Sequence, residues 1–178
     1  MGAKLSVIKR LKYLNQSTLE TICRAHVLPI MDYACTVWGN TSMTSDNLVK
    51  RIKKRAAHIV FNNFDFINVK GEDLIVSLKW QTLEERRLYF LSTLMYKAIH
   101  GTAPQYMCNQ LLMACEYHNR DTRYASSLNV HVPKPKHESF RNSFQYSGAI
   151  VWNRLPLFLK EASALEGFKF GYKKYYFI

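Results

Sequence analysis

The stretch Ser45 to Asn62, SDNLVKRIKKRAAHIVFN, leaves the chain few choices. Ser45 and Asp46 are helix-start residues, and the run behind them repeats with a helical period. At about 100° per residue, Leu48, Val49, Ile52, Ala56, Ile59 and Val60 share one face. Lys50, Arg51, Lys53, Lys54, Arg55 and His58 fall on the remaining arc. The segment reads as an amphipathic helix whose apolar side must pack on a partner. Its basic side faces water or an anionic polymer. Arg51, Arg55 and His58 follow one edge at i, i+4, i+7, with Lys50 and Lys54 on a neighbouring edge.

A core for this helix to pack on is available. The chain has 178 residues, 48% of them hydrophobic, enough for one domain or two small ones and too many for a disordered tail. A formal charge of +12 favours phosphate partners or an anionic membrane surface. Eleven Tyr and ten Phe among these basic groups suit single-stranded nucleic acid, although most rings in a domain of this size belong to its core. Cys23, Cys35, Cys108 and Cys115 show no compact secretory spacing, and no signal peptide opens the chain. The thiols are read as reduced and the protein as intracellular, cytoplasmic or nuclear. No apolar run approaches the roughly 18 residues needed to span a bilayer. Met1 to Ser6 fits the short, common N-myristoylation pattern beside Lys4, Lys9 and Arg10, but no stable membrane association is expected.

Along the chain, Leu5, Ile8 and Leu11 mark a short basic helix. Ser17 with Glu20 has the capping-box spacing for a second, whose apolar repeat runs to Trp38 and is kinked or split at Pro29. Gly39 and Asn40 end it. Asn62 to Lys70 reads as a loop anchored by buried Phe64, Phe66 and Ile67, and Glu72 to Lys79 as a short helix with Trp80 plugged into the core behind it. Thr82 and Glu85 cap a long helix with the stripe Leu83, Leu88, Leu91, Leu94, Met95, Ala98, Ile99, stopped by Gly101. Arg87 falls inside that stripe, where it either grips a phosphate or pairs with a carboxylate such as Glu84. Pro104 opens a helix to about Ala114. The polar stretch Glu116 to Ser127 is the best subdomain boundary. Leu128 to Val132 alternates like a strand, and Ser139 to Tyr146 fits a strand or a helix. Phe158 to Tyr176 reads as a last helix interrupted by Gly167 and Gly171, ending in the basic, aromatic Lys173-Lys174-Tyr175-Tyr176.

Catalytic patterns are scarce. Cys108, Cys115 and His118 match no strong zinc spacing, with His131 or His137 as the nearest fourth ligand. There is no Gly-rich phosphate loop and no nucleophile elbow. Asp32, Asp46, Asp65, Asp73 and Asp121 form no close pair, so the carboxylate cluster of two-metal phosphoryl transfer cannot be assembled. No enzyme activity, no cofactor and no metal are expected of the chain alone.

Several motifs in order carry a family resemblance. His26-Val27-Leu28-Pro29-Ile30-Met31-Asp32-Tyr33-Ala34, followed by Val37-Trp38-Gly39, resembles the "LVLP-x-x-DY…VWG" segment of reverse transcriptases from LINE-type (non-LTR) retrotransposons of the jockey and CR1 kind. Lys53 to Val60 resembles their "Q-x-RAAR-I-I" helix, with His58 where an Arg is usual. Leu78 to Arg87 is similar to "L-x-W-L-P-L-x-x-RR", with Thr82 in place of Pro. Tyr96 to Pro104 resembles "YK-x-x-NG-x-x-P". Thr122-Arg123 followed by Val132-Pro133, Ser143-Phe144 followed by Trp152-Asn153-Arg154-Leu155-Pro156, and Phe168-Lys169 followed by Lys173 to Tyr176 resemble the closing motifs. Each motif is weak alone, but their shared order covers nearly the whole chain.

The resemblance implies a thumb that grips the template–product duplex, followed by an accessory region. It also implies that the fingers and the palm with the catalytic aspartates would lie upstream of Met1, so the chain is read as a fragment of such an enzyme. The expected fold is mainly α: a helical thumb-like bundle over 1–115, then a small α+β subdomain over 116–178. The expected function is backbone binding to RNA or an RNA–DNA hybrid. Lys50, Arg51, Lys53, Lys54, Arg55 and His58 are the first candidates, and Arg86, Arg87, Lys173 and Lys174 further ones. Tyr175 or Tyr176 could stack on a base. The missing palm is a possible protein partner. The alternative is a non-enzymatic interaction protein or inert remnant with a merely solvated basic face.

Overall fold

The computed structural model describes residues 2–33, 35–38, 43–117 and 127–177, with 37 and 38 as backbone alone. The chain is mainly helical, as expected, and divides into two compact units, Met1–Arg87 and Leu88–Ile178. The division falls inside a helix, not in the polar stretch Glu116–Ser127. Gly39, Asn40, His118, Asp121, Thr122 and Arg123 lie outside the described residues.

The first unit runs α1 (Gly2–Arg10), α2 (Gln16–His26), α3 (Leu28–Asp32), α4 (Cys35–Trp38), α5 (Met43–Val60) and α6 (Gly71–Ser77), then the first turn of α7 (Leu83–Ile99). Asn15 rather than Ser17 caps α2, its side chain accepting the Thr18 amide at 2.8 Å. Glu20 instead accepts from Arg24 Nε at 2.8 Å and from Trp80 Nε1 at 3.2 Å, which seats the buried Trp80. Pro29 splits the expected long helix. It falls in the first turn of α3, where its missing N–H leaves no intrahelical bond unmade. Thr82 and Glu85 form the expected capping box at the start of α7, with N···O distances of 2.7 and 3.2 Å. Leu5, Ile8, Leu19, Met31, Ala56 and Val60 are among the buried side chains that form the core of this unit.

The 62–70 connection departs from expectation. Phe64, Phe66 and Ile67 are 36%, 58% and 92% exposed and are not buried anchors. Polar contacts close this loop instead. Asp65 accepts from the Ile67 and Asn68 amides at 3.1 and 3.0 Å and from Asn68 Nδ2 at 2.8 Å, and Asn62 takes a left-handed φ of 49°. These bonds hold the Asp65 carboxyl below its ordinary range, with the Asn68 amide the leading cause.

The second unit contains α7 from Leu88 on, α8 (Gln105–Cys108), α9 (Ala114–Tyr117), α10 (Glu138–Arg141), α11 (Phe144–Asn153), α12 (Leu157–Lys160) and α13 (Leu165–Tyr176). Gly101 ends α7 with φ 68°, a conformation that favours glycine. The helix expected from Pro104 to Ala114 is only the single turn α8. The last helix is shorter at its start than expected and runs straight through Gly167 and Gly171. At Gly171 a Cβ would lie 2.8 Å from Leu159 Cδ2, so the glycine permits close approach of α12 to α13.

The expected strand Leu128–Val132 is not formed. Among the described residues, β pairing is limited to one antiparallel bridge, Met113 to Val130. The bridge is made by Ala114 N to Asn129 O at 2.9 Å and His131 N to Leu112 O at 2.8 Å, and the stretch that could have paired as a second strand is helical at Glu138–Arg141 and from Phe144 on. Asn153 Oδ1 accepts the Val130 amide and Asn153 Nδ2 donates to the Val130 carbonyl, both at 2.8 Å. One side chain thus satisfies both backbone groups of Val130 on the edge that the bridge leaves unpaired, and Trp152 Nε1 donates to Leu128 O at 2.9 Å. The α+β subdomain is therefore replaced by helices around one extended segment. Trp152, Phe168, Met95 and Leu159 lead its core. No helix among the described residues is long and apolar enough to cross a membrane.

Trp152 is 1% exposed and anchors both the core and the extended segment. Trp152→Ala should destabilise the second unit by about 3–5 kcal/mol in urea unfolding. Phe170→Ala, at a residue 71% exposed, should change stability by less than about 0.5 kcal/mol.

Candidate nucleic-acid interface

The two faces of α5 divide the sequence candidates differently from the expectation. Leu48, assigned to the apolar face, is 53% exposed. Lys53, assigned to the basic face, is buried at 4% exposure. Its neighbours at helical spacing are Val49, Ala56, Ala57 and Val60, so it sits in the middle of the inward arc. Its Nζ donates to the Gln81 carbonyl. Burial, reinforced by the Arg86 charge, lowers the Lys53 ammonium to about 8, while Asp32 and Glu85 act the other way.

His58 lies on the outward arc yet is 2% exposed, because the 62–70 loop folds back over it. Its Nδ1 is 2.9 Å from Asn63 O. A carbonyl only accepts, so this nitrogen carries the proton. The ring centroid lies 4.5 Å from that of Phe66.

Arg86 and Arg87 are held in ion pairs inside the first unit. Arg86 Nε and Nη2 both donate to the Asp32 carboxylate, the former at 2.6 Å, and Nη1 donates to Gln81 Oε1 at 3.1 Å. Arg87 donates to both Asp46 oxygens at 3.0 and 2.6 Å. The Arg87 hydrogen bond holds the Asp46 carboxyl below its ordinary range. Arg87 thus pairs with a carboxylate, as one of its two readings had it, though with Asp46 and not Glu84. Glu84 accepts from Lys50 at 3.0 Å instead.

Four of the candidates on α5 remain outward. Lys54 pairs with Glu72. The Lys50 and Lys54 pairs are both substantially exposed, a setting worth about 0–1 kcal/mol and easily exchanged. Arg51 and Arg55 are exposed and, among the described residues, have no carboxylate partner. Beside them is a cavity of about 360 Å³ lined by Arg51, Lys54, Arg55, His58, Phe66 and Lys70, with Val69, Gly71 and Glu72. A second cavity of about 230 Å³ lies against Lys9, Ile52 and Phe64 and shares Arg55 and Phe66 with the first. Lys9 Nζ is 4.6 Å from the Phe64 ring centroid.

In the second unit, Lys173 and Lys174 are exposed on the last turn of α13, and Lys173 Nζ is 5.6 Å from the Tyr89 centroid. Tyr175 and Tyr176 are 58% and 43% exposed, with ring centroids 4.8 Å apart. Among the described residues no three His, Cys, Asp or Glu side chains gather as a metal site. Cys108 donates to Ala103 O at 3.4 Å. All four cysteines are free, and burial pushes the Cys23 thiol up to about 11.

Comparison with family models, with curated proteins and with solved structures finds no match for this chain.

Sequence reasoning missed Lys9, Phe64, Phe66 and Lys70 as walls of these cavities. The available signal was Asn62-Asn63-Phe64-Asp65, a turn sequence directly after the basic helix that returns the chain over the helix end. The buried Lys53 carries a pH signature. Its folded pKa of about 8 lies below the ordinary 10.5, so between these values the unfolded chain binds more protons. Lys53 therefore makes stability rise with pH across that window. From pH 8 to 10.5 the native chain should gain on the order of 2 kcal/mol relative to Lys53→Met, read by urea unfolding at each pH.

Proposed function

We propose that this chain binds nucleic acid, and that the outer face of α5 grips the sugar–phosphate backbone of RNA or an RNA–DNA hybrid. The observation that carries the reading is the exposed pair Arg51 and Arg55, without a carboxylate partner among the described residues, flanked by Lys50 and Lys54 in exchangeable surface pairs. Guanidinium groups one helical turn apart suit successive phosphates, and such contacts are driven by counterion release. The motif order that resembles LINE-type reverse transcriptases supports the same role, since the thumb of those enzymes holds the template–product duplex. On this reading the first unit is thumb-like and the second an accessory. A polymerase palm would be its protein partner, inside the cell. The reading assigns binding to this chain and no phosphoryl-transfer step. Lys173 and Lys174 would add secondary phosphate contacts. Lys53, His58, Arg86 and Arg87 would support the surface from within.

Four phosphate contacts by Lys50, Arg51, Lys54 and Arg55 would give a log–log salt slope of about −3 to −4 for a hybrid duplex. Arg51→Gln with Arg55→Gln should flatten that slope by about 1.5–2 and leave thermal stability unchanged. A salt titration of fluorescence anisotropy checks this. An unchanged slope would remove α5 as the contact surface.

A further inference from the structure

The cavity between α5 and the 62–70 loop has features that a flat backbone-binding face does not need. Its volume is about 360 Å³, near the lower end of the roughly 300–1,000 Å³ range of small-ligand pockets. That is room for one nucleotide and not for a duplex. Its walls differ in chemistry: Arg51, Arg55 and Lys70 supply positive charge, and Phe66 supplies an aromatic ring. Glu72 also lines it, but its carboxylate is engaged by Lys54 and held below its ordinary range chiefly by that bond.

Phe66 is oddly placed for a structural residue. It is 58% exposed, with its ring beside the buried His58, whose Nδ1 proton is fixed by Asn63 O. The backbone beneath it is held by the Asp65 hydrogen bonds and by Phe66 N to Phe64 O at 3.1 Å. The ring is thus presented at the cavity on a closed turn, backed by a second ring, within the same cavity wall as two guanidinium groups. An aromatic face beside cations is the arrangement that holds an unstacked base with its phosphate.

We propose that this cavity takes one unpaired nucleotide of a bound strand, its base stacked on Phe66 and its phosphate between Arg51 and Arg55. The inference rests on the backbone-gripping role of α5 and adds to it a preference for strands with an extruded or unpaired base. The test compares two probes of equal charge per strand length: a fully paired RNA–DNA hybrid and the same hybrid with one bulged nucleotide. The native chain should bind the bulged probe about tenfold more tightly. Phe66→Leu should abolish that difference while leaving affinity for the paired probe within about twofold. A melting curve for Phe66→Leu matching that of the native chain shows that the loop change has not unfolded the unit. Equal affinity of the native chain for the two probes, or a bulge preference that survives Phe66→Leu, would overturn the nucleotide pocket and leave the α5 contact standing. Absence of salt-dependent binding to the paired probe would overturn both.

Discussion

Two guanidinium–carboxylate pairs in the first unit tie the start of α7 to α3 and α5, the helix that carries most of the candidate binding groups. Arg86 and Arg87 are adjacent in the first turn of α7, and their side chains go to different elements: Arg86 to Asp32 on α3, Arg87 to Asp46 on α5. Both contacts use two guanidinium nitrogens, the geometry in which an arginine is hardest to replace by lysine. The partners are only partly exposed, so removing one member would leave a poorly solvated charge, the situation that makes such deletions destabilising. Arg86 also reaches the Gln81 side chain, whose residue offers its carbonyl to Lys53. These contacts tie α3, α5 and the start of α7 together, and they take up three of the cations that the sequence offers to a phosphate, Lys53, Arg86 and Arg87.

What remains for a ligand is set by helix geometry. α5 turns Ala56, Ala57 and Val60 inward along with Lys53, and Arg51, Lys54 and Arg55 outward. The 62–70 loop then covers His58 and borders an open basic cavity on the outward face. The net charge of the chain is therefore a poor guide to the binding surface. Which cations are left for a ligand depends on which already have carboxylates.

The helices were legible where periodicity and capping agree. Thr82-x-x-Glu85 gave the start of α7, Gly101 its end, and Pro29 the break between α2 and α3, because each acts through local backbone chemistry. The amphipathic character of α5 was legible too, but not the depth of each residue. Lys53 satisfies the inward spacing, and only its charge points outward. Arg86 and Arg87 find carboxylates 54 and 41 residues away, which no local pattern reveals. The fate of Leu128–Val132 was hidden for a similar reason: Asn153, the side chain that holds both Val130 backbone groups, is 23 residues distant. The hydrophobicity of Phe64, Phe66 and Ile67 suggests buried anchors, whereas the Asp65 hydrogen bonds hold the loop without burying them.

Lysine acetylation footprinting with and without a saturating RNA–DNA hybrid, read residue by residue by mass spectrometry, tests most directly whether α5 meets nucleic acid through its outer face. The account predicts that Lys50 and Lys54 react in the free protein and are protected in the complex, while Lys53 is unreactive in both because it is buried against Gln81. Equal reactivity of Lys50 and Lys54 in free and bound protein, with the hybrid demonstrably bound, would contradict it.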